Sequence, residues 1–407
     1  MKTNYDVIII GGGASGMMAS IFAGRNGFST LVIDHNEKLG KKLYITGKGK
    51  CNLTNNSSIE NHLEHIVTNS KFMYSALNAF SPKDAIEFFE ENGLKTRTER
   101  GNRVFPASDK SSDVIKTLER TMQKYNVAVT LNTNIEKVNK KENIFYIECE
   151  NNILYTTPRL IVATGGVSYS GTGATAFGYK LAKKFGHTVV EPKSALCPIV
   201  TKEDVSGLNG LKLENVNMTA KIGKKEFSEF GDMLFTFDSL TGPIALTLSS
   251  YINKLDLTNA KVYIDLKPAL SFDKLQEKFK REFVTYAKKD LSNYLCTLLP
   301  NRFVDYFLAK TKISNKKVSE LNKNDRDTLI NTLKKFDFSI DSLDNINVSI
   351  VTSGGVEVKE INSKTCESKL VENLYFIGEV LDVDALTGGY NLQIAWSTAF
   401  LAGNNLK

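Results

Sequence analysis

The chain has 407 residues, 42% of them hydrophobic and 24% charged, with a formal net charge of +7; it can bury a large core and divide into two or three domains. No apolar run approaches the ~20 residues that span a bilayer, and the N-terminus enters a strand pattern at once without a basic-then-apolar leader, so a cytoplasmic protein with no membrane partner is expected. The five cysteines, Cys51, Cys149, Cys197, Cys296 and Cys366, are scattered and form no CxxC pair, which predicts reduced thiols and no zinc.

In chain order, the apolar run Tyr5 to Ile10 leads into Gly11-Gly12-Gly13-Ala14-Ser15-Gly16 and then a helix pattern, and a second apolar run, Thr30 to Ile33, ends at Asp34. This is the arrangement of a dinucleotide site. Gly11 allows a tight turn, Gly13 lets the backbone approach a pyrophosphate, Gly16 lets helix and strand pack closely, and Asp34 can accept from ribose hydroxyls. A Gly- and Lys-rich loop is expected over residues 36–55, and helices over 74–93 and 111–126. Val127 to Val138 and Asn143 to Tyr155 alternate like paired strands, and Leu160-Ile161-Val162-Ala163 reads as a buried parallel strand returning to the first sheet before Thr164-Gly165-Gly166. Composition shifts near Pro192: short strands are expected to 265, basic helices over 266–340, and from Val348 strands and glycines resume through Gly378 to a last helix.

Charge is concentrated. Leu266 to Ile340 holds sixteen Lys and Arg against nine Asp and Glu, a net +7 equal to that of the whole chain. This is either a solvated helical surface or a docking face for a polyanion, with Lys288, Lys289, Lys316 and Lys317 as its candidate contacts. His62 and His65 could share a helix face, yet no third ligand is evident, so no metal site is expected.

The string Gly40 to Asn55, with Arg103 to Lys110, Ala163-Thr164-Gly165-Gly166, Gly354-Gly355-Val356 and Gly378 to Gln393, resembles a flavoprotein family over essentially the whole chain. That family is variously labelled aminoacetone oxidase-like, bile-acid ene-reductase-like or NAD(P)/FAD-dependent oxidoreductase, and ribosomal RNA dihydrouridine-forming members are part of it. The resemblance implies an α/β, Rossmann-like FAD-binding domain, a parallel sheet with helices and a β-meander, built from both chain ends. Its parts would be residues 1–191 and 346–407, around an inserted β-rich domain over 192–265 and a basic helical segment over 266–345.

It also implies FAD. Gly11, Gly13, Ala14, Ser15 and Gly16 would take the pyrophosphate, Asp34 with His35 the adenosine ribose, and the Ile135 backbone the adenine. Lys42, Gly47, Gly49, Lys50, Cys51 and Asn52 would lie beside the cofactor with Thr164 and Gly165. Gly378-Glu379 would approach the ribityl chain, and Gly388-Gly389 with Asn391 and Leu392 would open the last helix at the flavin pyrimidine edge, where its dipole favours negative charge. The chain departs from the family at Lys50, where arginine is common, and at Phe237, Ser239, Ala385 and Val167.

Cys51 and Lys50 are the candidate catalytic residues: Cys51, flanked by Lys50 and backbone glycines that could lower its thiol pKa, is a candidate acid or nucleophile, its alternative being a small packed residue supporting the loop. With only one nucleotide fingerprint visible, NAD(P)H would meet the flavin transiently, or oxygen would reoxidise it. The expected activity is reduction of an activated C=C bond, either in a metabolite or by conversion of uridine to dihydrouridine in 23S ribosomal RNA, with a small-molecule amine oxidase or a flavin-dependent sensor as alternatives.

Overall fold

The computed structural model describes residues 3–407. The chain forms two compact units, one from the residues up to Ala195 together with Ile346–Lys407, the other from Leu196–Asn345. The first unit is organised by a five-stranded, all-parallel sheet in the order Leu374–Phe376, Arg159–Val162, Val7–Ile10, Thr30–Ile33, Ala128–Thr130. Its three central strands are short and apolar and buried almost throughout, as strands covered on both faces must be. The helices Ala14–Arg25 and Tyr390–Asn404 are buried over most of their lengths, which explains why neither has an obvious polar face.

Several boundaries differ from the sequence expectation. Val127 to Val138 is not one strand: Ala128–Thr130 joins the parallel sheet, the chain turns at Asn132 with φ 50°, and Ile135–Lys141 begins a meander with Ile144–Cys149 and Ile153–Thr157. The helical stretch 74–93 is two helices, Tyr74–Ala79 and Pro82–Glu91, because Ser81 starts the second with a capping box to Asp84 and Pro82 at its first turn. The loop 36–55 contains a short helix, Lys41–Ile45, and ends in the strand Thr54–Asn55, which pairs with Arg103–Pro106; that strand in turn pairs with Thr96–Thr98.

The second unit is a closed antiparallel barrel of six strands, Ile199–Thr201, Ser239–Thr241, Lys225–Phe235, Lys212–Ile222, Lys261–Asp265 and Phe336–Leu343. Two of these strands run for 11 residues each, and the helix Pro243–Ile252 interrupts the series, where short strands alone were expected. The expected boundary between 265 and 266 runs through this one unit, since Lys261–Asp265 pairs directly with Phe336–Leu343. The basic helices Phe272–Thr285, Leu291–Leu295, Asn301–Thr311 and Lys323–Lys334 lie in the connection between those two strands. Alternating Phe336, Phe338 and Ile340 face the barrel core.

Candidate active site: a dinucleotide cradle

The strand Val7–Ile10 delivers the chain into a turn whose glycines have distinct surroundings. A Cβ on Gly11 would meet Ala163 O at 2.4 Å and one on Gly16 would meet Gly11 O at 1.9 Å, whereas one on Gly13 meets nothing within 4 Å. Gly11 and Gly16 are therefore required by packing, whereas the space beside Gly13, before the helix, is open. Gly13 is the N-cap of Ala14–Arg25, with no side-chain cap and no acid in the first turn. The helix N–H groups and the positive end of its dipole are left for an anion.

Asp34, buried at the end of the second strand, accepts the Gly12 N–H on Oδ2 at 2.6 Å, and the Asn36 backbone and side-chain N–H groups on Oδ1 at 2.8 and 2.9 Å. It holds the glycine turn as well as offering lone pairs toward a ribose. Asn36, which the sequence reading did not single out, also fills the space beside Gly173. His35 sits with Nδ1 3.6 Å from Asp34 Oδ1, and Ile135 opens the meander, where the register slips before Lys137.

Across the sheet, Glu379 is a hub. Lys42 Nζ donates to both its oxygens at 2.9 and 2.7 Å, Ser168 Oγ donates at 3.2 Å and the Thr352 N–H at 2.9 Å. Thr352 Oγ1 accepts the Val167 and Ser168 N–H groups at 2.9 and 3.0 Å, and Lys42 also donates to Ser168 Oγ at 2.7 Å. Gly378 lies against Ser15, whose Oγ would be 2.6 Å from a Cβ at that position.

The signature loop wraps under this hub. Lys48 and Cys51 both take left-handed backbone conformations, φ 57° and 60°. Cys51 is fully buried, and burial pushes its thiol up to about 12 despite a hydrogen bond with Thr46. That is the reverse of the expected lowering: desolvation outweighs the neighbouring lysine, whose ammonium points elsewhere, 3.4 Å from Asp109. Lys50 is half-exposed.

The last helix is locked onto the same loop. Trp396 Nε1 donates to Leu53 O at 2.9 Å, Thr54 Oγ1 donates to Gln393 Oε1 at 2.7 Å, and a Cβ on Gly389 would lie 2.4 Å from the Thr54 carbonyl. Asn55 Nδ2 donates to Gly101 O at 2.9 Å and Gly388 O at 3.1 Å. His62 Nε2 contacts Asn55 O at 2.8 Å, and Tyr390 stacks on His65 with centroids 4.3 Å apart. Asn391 is committed locally, accepting the Ala385 N–H and donating to Ala385 O, while Leu392 is half-buried. Ser168, Thr352 and Asn55 were not nominated from sequence, only their presence within or near the quoted motifs pointing that way, and His62 was weighed only as half of a metal-ligand pair with His65.

The residues fit a dinucleotide. Buried side-chain oxygens of Thr164, Asn52 and Asn55 have no hydrogen-bond partner, and space is open at Gly13, Gly49 and Gly165. Unpaired buried acceptors and hydroxyls are costly in isolation, and a polar ligand relieves that cost. Among the described residues no group of three or more His, Cys, Asp or Glu could hold a metal.

In the second unit, Lys288 and Lys289 are brought near Lys316 and Lys317, since Asp290 and Lys317 form a β-bridge and Leu291 N–H donates to Lys316 O. Lys316 is paired with Asp325 at 2.7 Å and Lys317 with Asp290 at 2.8 Å. Lys289 lies over the Tyr286 ring at 4.8 Å.

Residues 5–405 match the HI0933-like protein Rossmann domain. The chain belongs to this family. Among its relatives, ribosomal RNA dihydrouridine synthase of Haemophilus influenzae is 32% identical over 406 residues, covering 98% of both chains. The 3-dehydro-bile acid delta(4,6)-reductase of Clostridium scindens is 30% identical over 402 residues, covering 97% of both. In fold, the chain is similar to 3-ketosteroid delta1-dehydrogenase from Sterolibacterium denitrificans, with a TM-score of 0.54, 13% identity and 99% of each chain covered. The HI0933-like chain is thus a member of a family of FAD-dependent oxidoreductases. No helix among its described residues is long and apolar enough to cross a membrane.

Proposed function

We propose that this chain is an NAD(P)H-driven reductase of an activated C=C bond, acting on uridine in ribosomal RNA to form dihydrouridine, in the cytoplasm. The reading is carried by the match to the Haemophilus influenzae enzyme over 98% of both chains, in a chain whose net charge of +7 suits a polyanionic substrate.

The pyrophosphate of FAD would lie before Gly13 at the N-terminus of Ala14–Arg25, the ribose at Asp34, and the isoalloxazine among Asn52, Asn55, Thr164 and the Gly388-Gly389 turn. When bound and reduced by NAD(P)H, FAD supplies a hydride to one carbon of the uracil 5,6 double bond. The other carbon needs a proton. Of the two residues nominated from sequence, Lys50 keeps its side chain half-exposed beside Asp109, whereas the Cys51 thiol is sealed away. Glu379, anchored by Lys42, fixes the Gly378 turn against Ser15 and so holds the two halves of the cradle in register.

Mass spectrometry of ribosomal RNA nucleosides from cells with and without the gene tests the proposal; a dihydrouridine that disappears on deletion and returns on complementation is the expected result. An unchanged nucleoside profile would refute it. The Clostridium scindens relative favours a second reading, reduction of a conjugated small molecule, which NAD(P)H-dependent turnover of a conjugated enone by purified protein would support.

A further inference from the structure

Residues 46–50 and 95–110 carry seven Lys and Arg against only Glu99 and Asp109, a net +5 in 21 residues compared with +7 for the whole chain. They form one contiguous strip. A Cβ on Gly47 would lie 3.5 Å from Phe105 Cε1, and the Arg103 guanidinium sits 5.8 Å over the same ring. Lys50 and Arg97 share Asp109, at 3.4 and 2.7 Å. At the other end, Ser111 Oγ donates to Tyr44 O at 2.6 Å, so Lys110 adjoins Tyr44, a residue that is 51% exposed.

The strip is fastened to the cradle by Asn55, which hydrogen-bonds both Gly101 in the basic hairpin and Gly388 before the last helix. Lys48, Arg100 and Lys110 are exposed, and among the described residues no carboxylate pairs with any of them. Two of the three are placed against local stability. Lys48 takes a left-handed backbone conformation that a non-glycine residue disfavours, and Lys110 is the N-cap of Ser111–Lys124 without a side-chain cap bond. There its charge opposes the helix dipole and a better cap is forgone. In the inserted segment, Lys278, Lys316, Lys317 and Lys334 are each held by a carboxylate, which of the four candidate contacts there leaves Lys288 and Lys289 as the competing cations.

We infer that the strip from Lys48 and Arg100 to Lys110, with Tyr44 as a stacking platform, is the face on which single-stranded RNA docks beside the cofactor. This rests on the uridine reading above. Phosphates would meet the unpaired cations and a base flanking the target would stack on Tyr44, leaving the target uridine splayed toward the cradle.

The test measures fluorescence anisotropy with an unmodified ribosomal RNA fragment bearing the single-stranded uridine, across a salt series, for the FAD-loaded parent and its variants. Arg100→Glu with Lys110→Asp should weaken binding at least tenfold near 0.1 M salt and reduce the salt slope by about 1.4, about 0.7 for each single-strand phosphate contact. Tyr44→Ala should weaken it by about tenfold. FAD content and NAD(P)H oxidation with an artificial acceptor should stay at the parent level, and Lys110→Asp alone should leave the melting temperature equal or higher. Parent-like RNA binding by the strip variant, or a larger loss from Lys288→Glu with Lys289→Glu, would overturn the docking face while dihydrouridine formation by the parent kept the proposed function standing. A parent that forms no dihydrouridine would overturn both.

Discussion

Lys42 Nζ lies 2.7 Å from Glu379 Oε2, joining the short helix after the second strand to the turn that follows the strand Leu374–Phe376. Both side chains are less than a third exposed, so the pair is screened less than a surface ion pair, yet it is not sealed from water. Removing one partner leaves a charge whose remaining hydrogen bonds come from Thr352 and Ser168. Lys42→Met should therefore lower stability by about 1–2 kcal/mol, read by urea unfolding of the FAD-free protein. A change below about 0.3 kcal/mol would mean that water replaces the lysine at no cost.

Two glycines of one motif should fail in different ways. Gly13 has open space where its Cβ would go, while a Cβ on Gly16 would collide with Gly11 O. Gly13→Val should give a folded, colourless protein, because the side chain enters the space before the helix and not the core. Gly16→Val should lose folding itself, since the obstructing atom is backbone. Absorbance near the flavin bands and thermal unfolding, measured together, separate the outcomes; a yellow Gly13→Val protein would show that the pyrophosphate does not approach there.

The glycine motif, its strand and Asp34 could be read from sequence because each acts within one strand-turn-helix unit, where spacing maps directly onto geometry. The Glu379 hub could not, since Lys42, Ser168, Thr352 and Glu379 meet only through the order of the parallel sheet and its neighbouring strand pair. The barrel was hidden for the same reason: Phe336–Leu343 alternates like any half-buried strand, and nothing local says that it pairs with Lys261–Asp265 across the intervening helices. Cys51 shows the opposite failure. Its sequence neighbours suggested a lowered thiol pKa, but a thiol responds to solvent exclusion as well as to adjacent charges, and the left-handed turn at Cys51 takes the sulfur into the core.

The thiols provide a further test. Cys51 and Cys366 are fully buried with their pKa values pushed up to about 12 by desolvation, and Cys149 is pushed to about 11, whereas Cys296 is exposed. Since the thiolate is the nucleophile, native protein at pH 7.5 should take up iodoacetamide first at Cys296, and peptide mapping should find Cys51 unmodified until the protein is unfolded. Cys51→Ala should keep per-flavin turnover within a few-fold of the parent. A loss of 10²–10⁴-fold with FAD retained, about the worth of a general acid, would restore the catalytic reading.

His62 carries a pH dependence whose sign follows from its surroundings. Burial lowers its pKa to about 4, outweighing the opposing hydrogen bond with Asn55 O, and His65 adds to the lowering. The neutral ring must carry its proton on Nε2 to donate to that carbonyl. Because the folded pKa lies below the unfolded value of about 6.5, the unfolded chain binds the proton more readily. The stability linked to His62 is fully present above pH 6.5 and drains away as pH falls toward 4, by roughly 3 kcal/mol at most. Since Asn55 also holds Gly388, the first region to loosen on acidification should be the turn before the last helix, with flavin release preceding global unfolding. Between pH 7 and 4.5 the urea midpoint of the parent should fall while the fluorescence of flavin released into solution rises, and His62→Gln should flatten both pH dependences while lowering stability at pH 7. A parent whose midpoint does not move over this range would show that His62 titrates normally in the folded state.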